Sequence, residues 1–262
     1  MLASSDDALV APVRLCCARF GYAVSVPLHS GQTPDDLASL AASRRPGAVL
    51  LDLDAPAPRD SADSWRALAS ALKRAAATRR VPVIGISAHK PGVIDEARRF
   101  GCDDVVARQD LDRQLESALR RWVRQIDPQA LADACRLPLH PDARRGIDLF
   151  NRGEYFEAHE FLEAAWNEDP GPARDLYQGL LQIAVAYLQI ERGNHAGATK
   201  LFLRMWHWLD ALPETCRGVD VAGARADARA VQQALAAHAP ERIDSFDRRL
   251  FRPIRVIDDS ER

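Results

Sequence analysis

The sequence predicts an α/β domain built on a parallel sheet, followed by an all-α domain that forms a helical bundle. Up to about residue 126, short and nearly continuous apolar runs alternate with helical stretches, which is typical of a parallel sheet covered on both faces. From about residue 138, apolar residues recur at three- and four-residue spacing, with no convincing strand before the tail. A chain of 262 residues is long enough for two such domains.

Four apolar runs are the predicted strands of the first domain. Residues 48–51 form the clearest run and lead into Asp52-Leu53-Asp54, and residues 81–86 form the second. Residues 22–26 and 105–106 are shorter runs. Helices are expected between them, including one over Val93 to Phe100 that Gly101 ends, and a last helix with its apolar stripe from Leu111 to Ile126.

Polar side chains follow three of these strands. Asp52 comes after one strand, Ser87 after the next and Arg108 after the last. Because ligands bind beyond the carboxyl ends of parallel strands, these three side chains are expected to lie at one edge of the sheet. A carboxylate, a hydroxyl and a cation in one place suggest a site for phosphoryl chemistry.

Three segments carry a family resemblance. They are Leu51-Asp52-Leu53-Asp54-Ala55-Pro56, Ile86-Ser87-Ala88 and Gly101-Cys102-Asp103-Asp104. With them, residues 1–125 resemble the receiver domain of two-component response regulators. The resemblance implies a flavodoxin-like fold, a phosphoacceptor-like Asp52 with Ser87 and Arg108 beside it, and Mg²⁺ at Asp52 if the receiver is active.

The sequence departs from the receiver pattern where the chemistry is most demanding. Ser4 and Ser5 stand at the positions of the acidic pair, and Asp6 and Asp7 reach them only with a two-residue shift. Arg108 replaces the family's lysine, Gln109 its cis-proline and Val105 its aromatic switch residue. Phosphorylation of an aspartate needs Mg²⁺ held by carboxylates, and a guanidinium is not equivalent to an ammonium. We therefore expect a pseudo-receiver, and a phosphorylatable response regulator with a helical output domain remains an alternative.

A linker is predicted over residues 127–137. Asp127-Pro128 breaks the preceding helix, and the stretch before Pro138 could hold one short helix, from Gln129 to Cys135. The predicted domains are therefore 1–126, receiver-like, and 138–262, helical. The expected bundle helices are 142–151, 154–167, 172–191, 194–210 and 223–238.

A polar cluster is predicted inside the bundle. On helix 154–167, His159 lies near the line through Tyr155, Leu162 and Trp166 that must face the core, and Glu163 lies beside it. Buried polar groups need partners, so we expect His159 to be at least half buried and bonded to Glu163 or to a glutamine of helix 172–191. The predicted cluster contains His159, Glu160, Glu163, Gln178, Gln182 and Asn194.

Three interpretations of this cluster stay open. It is a structural network, a pocket for a small ligand, or the site of a metal-dependent hydrolase with Glu160 as the base. The hydrolase needs a third protein ligand, for which His195, His207 and Asp175 are candidates without diagnostic spacing. No metal or other cofactor is predicted for the bundle.

The bundle also resembles a family. The segments are Phe150 to Trp166, Gln178 to Ala186, Gly193 to Ala198 and Gly218 to Val221. In this order they resemble the bacterial family called domain of unknown function 309, over about residues 138–255. The resemblance implies an all-helical bundle and implies no activity.

The amino-acid composition limits the classes of function that are expected. The 35 basic and 37 acidic residues give a net charge of -2, so neither a nucleic-acid nor a membrane surface is expected. The five cysteines lack zinc-like spacing, and Cys16 and Cys17 look like small core residues of a cytoplasmic protein. We predict a regulatory or scaffold protein rather than an enzyme. Its expected partners are proteins, with a second copy of the chain as one candidate.

Overall fold

The computed structural model describes residues 1–4, 6–26, 33–55, 64–75, 77–88, 92–124 and 126–257. Pro56, which carries part of the receiver resemblance, and Ser5, which departs from it, lie outside these ranges. The chain forms two compact units, Met1–Gln125 and Ile126–Arg262. Among the described residues, no helix combines the length and the apolar character that crossing a membrane requires.

The first unit is built on a four-stranded parallel sheet. Its strands are β1 (Leu2–Ala3), β2 (Val49–Asp52), β3 (Val83–Ser87) and β4 (Asp104–Ala107), in that spatial order. The helices are α1 (Asp7–Arg19), α2 (Pro34–Arg44), α3 (Trp65–Arg74), α4 (Val93–Phe100) and α5 (Leu111–Trp122). The predicted α/β class is confirmed.

The sheet has helices on both faces because successive strand residues point to opposite sides. Leu50 of β2 packs in a core with residues of α1 and α5, such as Leu9 and Leu115. Leu51, one residue later, packs in a second core with residues of α2, α3 and α4. This explains why the strand sequences are continuously apolar.

One predicted strand does not form. Residues 22–26 run outside any regular strand in the described structure, although the backbone N–H of Leu2 donates to the carbonyl of Ser25 at 2.9 Å. A flavodoxin-like order requires a strand on this side of β1. With β1 only two residues long, there is little backbone for a partner strand to pair with.

The second unit is a bundle. Its helices are α6 (Pro128–Arg136), α7 (Pro141–Asn151), α8 (Tyr155–Glu168), α9 (Asp175–Glu191), α10 (His195–Leu209) and α11 (Val221–Ala237). A short hairpin of β5 (Thr215–Cys216) and β6 (Val219–Asp220) precedes α11, where the sequence indicated no strand. The helical class of this half is confirmed.

Helix α9 lies at the centre of the bundle. A Cβ on Gly179 would lie 2.2 Å from the side chain of Leu209 in α10, so a glycine is needed for this close approach. The ring of Tyr187 lies 5.5 Å from that of Tyr155 in α8 and stacks at 4.0 Å on Phe251 of the tail. The side chain of Asn151 fixes the tail further, because it bonds to both the N–H and the carbonyl of Ile254.

The segment 127–137, predicted as a linker, is part of the second unit. It contains α6, and Asp127 caps this helix by accepting from the backbone N–H of Gln129 at 2.9 Å. A disulfide joins Cys135 of α6 to Cys216 of β5, across 81 residues of sequence. The sequence analysis did not predict this bond, because the spacing of the two cysteines carries no local signal.

The disulfide should stabilise the bundle. Reduction should lower the free energy of unfolding of the second unit by about 2–4 kcal/mol, because the bond restricts the unfolded chain. Urea unfolding followed by circular dichroism, with and without dithiothreitol, measures the change. The double variant Cys135→Ser/Cys216→Ser should have the lower free energy of unfolding without dithiothreitol, and dithiothreitol should not change it further. An unchanged urea midpoint of the wild-type protein under reduction would contradict the prediction.

Candidate functional site

The carboxyl edge of the sheet holds the predicted phosphoryl residues. Asp52, at the end of β2, is buried, and its Oδ2 accepts from the hydroxyl of Ser4 at 2.8 Å and from Arg108 Nη2 at 3.3 Å. Its Oδ1 accepts from the backbone N–H of Asp54 at 3.1 Å. Both oxygens of Asp52 are therefore engaged by groups of this chain.

Arg108 bridges two carboxylates. The nitrogen that contacts Asp52 also lies 2.8 Å from Oδ2 of Asp6. Asp6 stands just before α1, where it caps the helix by accepting from the N–H of Ala8 at 2.9 Å. The helix start thus brings Asp6 to this edge while Asp7 stays exposed.

Ser87 does not join Asp52. It is fully buried at the end of β3, and its hydroxyl donates to Oδ1 of Asp54 at 3.3 Å. The other oxygen of Asp54 accepts from the backbone N–H of Ala88 at 2.6 Å. Asp54 therefore ties the loop after β2 to the loop after β3, a role that sequence reasoning did not assign.

The residues present do not fit a resident Mg²⁺. A divalent cation here would need the oxygens of Asp6 and Asp52, and one guanidinium nitrogen already lies between these carboxylates. Beside Asp52 the chain places the hydroxyl of Ser4, and it connects Asp6 to Asp52 through Arg108. Charge balance between the carboxylates comes from Arg108.

In the bundle, His159 has a different partner from the one expected. Its Nδ1 faces the carbonyl of Phe156 in its own helix, and its ring packs 5.0 Å from the exposed Phe156 ring. Glu160 and Glu163 are exposed. The predicted bond from His159 to Glu163 or to a glutamine was wrong, because helical geometry places a backbone carbonyl three residues back within closer reach. The prediction of a ring at least half buried agrees with the structure.

The other members of the predicted cluster do not meet His159 in a shared network. Asn194 caps α10 by accepting from the N–H of Gly197 at 2.9 Å and donates to Gln189 at 2.6 Å. The Oε1 atoms of Gln178 and Gln182 are buried without a hydrogen-bond partner among the described residues. A single structural network is therefore not what these residues form.

The predicted metal site at His159, Glu160 and Glu163 is not among the potential ligand groupings of the described residues. Among the described residues, one grouping of His, Cys, Asp and Glu brings its ligand atoms within 4.8 Å of one another, and it is His140, Asp142 and Glu168. His140 Nδ1 accepts from the backbone N–H of Asp142 at 3.2 Å, so the neutral ring carries its proton on Nε2. That nitrogen lies 3.2 Å from Glu168, which is the geometry of a hydrogen-bonded pair.

The candidate third ligands of the hydrolase interpretation are held in other surroundings. A ring nitrogen of His195 lies 2.9 Å from the carbonyl of Leu235 in α11. His207 is exposed, with its ring against Trp208. Asp175 is buried at the start of α9.

Cysteine chemistry is also disfavoured. Cys16, Cys17 and Cys102 are free and buried. Burial raises the pKa of Cys17 to about 11 and that of Cys102 to about 12, and it raises the pKa of Cys16 as well. Because the thiolate is the nucleophile, these thiols are inert near neutral pH.

A buried ionic network lies around Arg217, which sequence reasoning missed. Its side chain lies 2.7 Å from Oδ2 of Asp169 and donates to the hydroxyl of Tyr177 at 2.5 Å. Its Nε donates to the carbonyl of Ala134 at 3.3 Å, and its backbone N–H donates to the carbonyl of Cys135. The chain adopts φ 52° at Arg217, so the hairpin between β5 and β6 turns sharply here.

This network joins distant segments of the bundle. Tyr177 belongs to α9, Asp169 ends α8, and the hydroxyl of Tyr177 also accepts from the backbone N–H of His140 at 3.3 Å. Burial raises the pKa of Tyr177, so the phenol stays protonated. The contacts span 83 residues of sequence, and no local pattern signals them.

Comparison with known proteins finds similarity in the bundle. A family model described as "Domain of unknown function (DUF309)" matches residues 143–201. The chain is also similar to "Uncharacterized protein YpuF" of Bacillus subtilis (strain 168), with 49% identity over 56 residues, which is 21% of this chain and 32% of that protein. The matching part thus spans about a third of that relative. The resemblance stated for the C-terminal half is supported.

The Arg217 network should be essential for stability. Arg217→Ala should lower the free energy of unfolding by about 3–5 kcal/mol, because it leaves Asp169 buried without its counter-ion. Urea unfolding of the full chain measures the loss. The matched control is Arg249→Ala, which breaks an exposed pair with Asp247 and should change nothing measurable. Equal effects of the two substitutions would contradict the prediction.

Proposed function

We propose that this chain is a non-enzymatic regulatory or scaffold protein that acts through protein contacts. In this proposal a receiver-like unit that has lost phosphoryl chemistry is fused to a helical interaction unit. The partners are proteins, a second copy of the chain is one candidate, and the location is the cytoplasm. The observation that carries the proposal is the guanidinium of Arg108 between Asp6 and Asp52.

The Arg108 bridge supports a pseudo-receiver in two ways. It supplies a fixed positive charge between two carboxylates, so these carboxylates have less need of an external cation. It also contacts Oδ2 of Asp52, which accepts from the hydroxyl of Ser4 as well, while Oδ1 accepts from the N–H of Asp54. An incoming phosphoryl group would have to displace these contacts before Asp52 could act as a nucleophile.

The bundle supports a binding role over a catalytic one. Its histidines are paired with backbone carbonyls or with acidic side chains, or are exposed, as described above. The free thiols of the chain belong to the first unit and are buried. The surface of the bundle instead exposes the apolar side chains of Leu137 and Phe156 together with charged side chains such as Glu160 and Glu163.

Phosphorylation of Asp52 should fail. Incubation with acetyl phosphate and Mg²⁺, followed by intact mass measurement, should give no stoichiometric phosphate adduct, since both carboxylate oxygens are engaged. A stoichiometric adduct that disappears in Asp52→Asn would overturn the pseudo-receiver and establish the phosphorylatable alternative.

Removal of the built-in cation should create affinity for a divalent metal. Arg108→Ala leaves Asp6 and Asp52 without their shared counter-charge, so Mn²⁺ should bind at least about tenfold more tightly than to the wild-type protein. Isothermal titration measures the affinity. Arg113→Ala is the control, because it removes an exposed arginine that pairs with Asp110 near the same edge. Equal Mn²⁺ affinity in both variants would show that Arg108 does not take the place of a cation.

A further inference from the structure

Residues 251–257, which we call the tail segment, lie in a groove of the bundle and form no helix. The groove is lined by the end of α7, by α9 and by the hairpin of β5 and β6. Phe251 and Ile254 pack against the core of the bundle, while Arg252, Pro253 and Arg255 are exposed. The structure therefore shows this groove with a peptide segment bound in it.

One side chain of the groove binds the main chain of the tail segment. The amide of Asn151 donates to the carbonyl of Ile254 at 2.9 Å and accepts from the N–H of the same residue at 2.8 Å. A primary amide offers one donor and one acceptor side by side, so it matches both polar groups of one backbone residue. This contact does not depend on the identity of the bound side chain.

The hairpin binds the main chain a second time. The N–H of Asp220 donates to the carbonyl of Arg255 at 3.0 Å, and the N–H of Ile257 donates to the carbonyl of Gly218 at 2.6 Å. The residues between these two contacts form an antiparallel bridge. The tail segment thus pairs with the hairpin as an added strand would, which is a common way for proteins to bind extended peptides.

Two side chains anchor the tail segment. The ring of Phe251 stacks on Tyr187 of α9 at 4.0 Å, with 10° between the ring planes, and lies 6.0 Å from the ring of Tyr155. Ile254, three residues later, is only 5% exposed. The groove therefore selects an aromatic residue followed at the third position by an aliphatic one.

Charges also match across the groove. Arg255 pairs with Asp220, which precedes α11. Burial raises the pKa of Asp227 on the same helix, and the charges of Arg252 and Arg255 oppose that rise. The groove thus presents two carboxylates to two guanidinium groups and favours a basic segment.

The tail segment can leave the groove without unwinding a long helix. Residues 247–249 before it are exposed, and residues 248–250 form a short 3₁₀ turn. The tail segment itself belongs to none of the helices α6 to α11. Such segments open at a lower free energy than a whole domain unfolds.

We propose that the groove binds a segment of a partner protein that displaces the tail segment. The partner's segment carries an aromatic residue, an aliphatic residue three positions later and an arginine directly after that. The inference deepens the proposed role in protein contacts and rests on it. Its tests concern the second unit, so their failure is distinguishable from a failure of the tests at Arg108.

The first test uses a fluorescein-labelled peptide with the sequence of residues 250–257 and blocked ends. The full-chain variant Phe251→Ala/Arg255→Ala loosens the tail segment and keeps every residue of the groove. Fluorescence anisotropy should show saturable binding to this variant. Binding to the wild-type chain should be at least about tenfold weaker, because the tethered segment competes at a high effective concentration. Circular dichroism checks that the variant folds, and Arg255→Ala, which changes an exposed side chain, replaces it otherwise.

The second test locates the bound peptide. Asn151→Ala in the loosened variant should weaken binding at least about tenfold, because it removes two hydrogen bonds to the main chain. Asn167→Ala, at an exposed position of α8, is the matched control and should leave the affinity unchanged. A peptide with serine at both anchor positions should not bind.

Three results would overturn the proposal. They are no binding to the folded loosened variant, equal binding to the loosened and wild-type chains, and binding that Asn151→Ala leaves unchanged. A wild-type dimer in light scattering that the peptide dissociates would overturn the partner protein in favour of the tail segment of a second copy.

Discussion

The bundle depends on the burial of α9. This helix is apolar on most of its circumference, so it must be surrounded, and α8 and α10 pack against it. The close approach at Gly179 and the aromatic contacts of Tyr187 are consequences of that burial. So is the Arg217 network, because a tyrosine hydroxyl carried into the interior by α9 needs a hydrogen-bond partner there. The disulfide at Cys216 adds a covalent tie beside the same network.

In the first unit, electrostatics decides what the sheet edge can do. Parallel strands bring polar groups to their carboxyl ends, and here a carboxylate without a counter-ion would be costly because Asp52 is buried. Arg108 meets this requirement from within the chain and reaches Asp6 with the same nitrogen. The contact that stabilises Asp52 is therefore also the contact on which the proposed loss of phosphoryl chemistry rests.

The two units differ in how they satisfy polar groups. The sheet edge engages its carboxylates with hydroxyl, backbone and guanidinium donors. In the bundle, the Oε1 atoms of Gln178 and Gln182 are buried without a hydrogen-bond partner among the described residues. Both glutamines lie on α9, within the residues 143–201 that the family model matches. A buried polar atom without a hydrogen bond lowers the stability of the fold, so selection for stability alone would favour an apolar residue there. Regions that keep such atoms are therefore candidates for function.

Local periodicity in the sequence was enough to predict the strands at β2, β3 and β4 and the helical stretches of both units. It also placed Arg108 beside Asp52, because strand ends meet at one edge. The partners of the side chains, in contrast, depend on how the folded chain brings its elements together. The Nδ1 atom of His159 faces the carbonyl of Phe156, and residues 22–26 form no regular strand. Arg217 forms an ion pair with Asp169, which lies 48 residues earlier in the sequence. Such pairings depend on how whole elements approach one another, and no spacing along the chain encodes that approach.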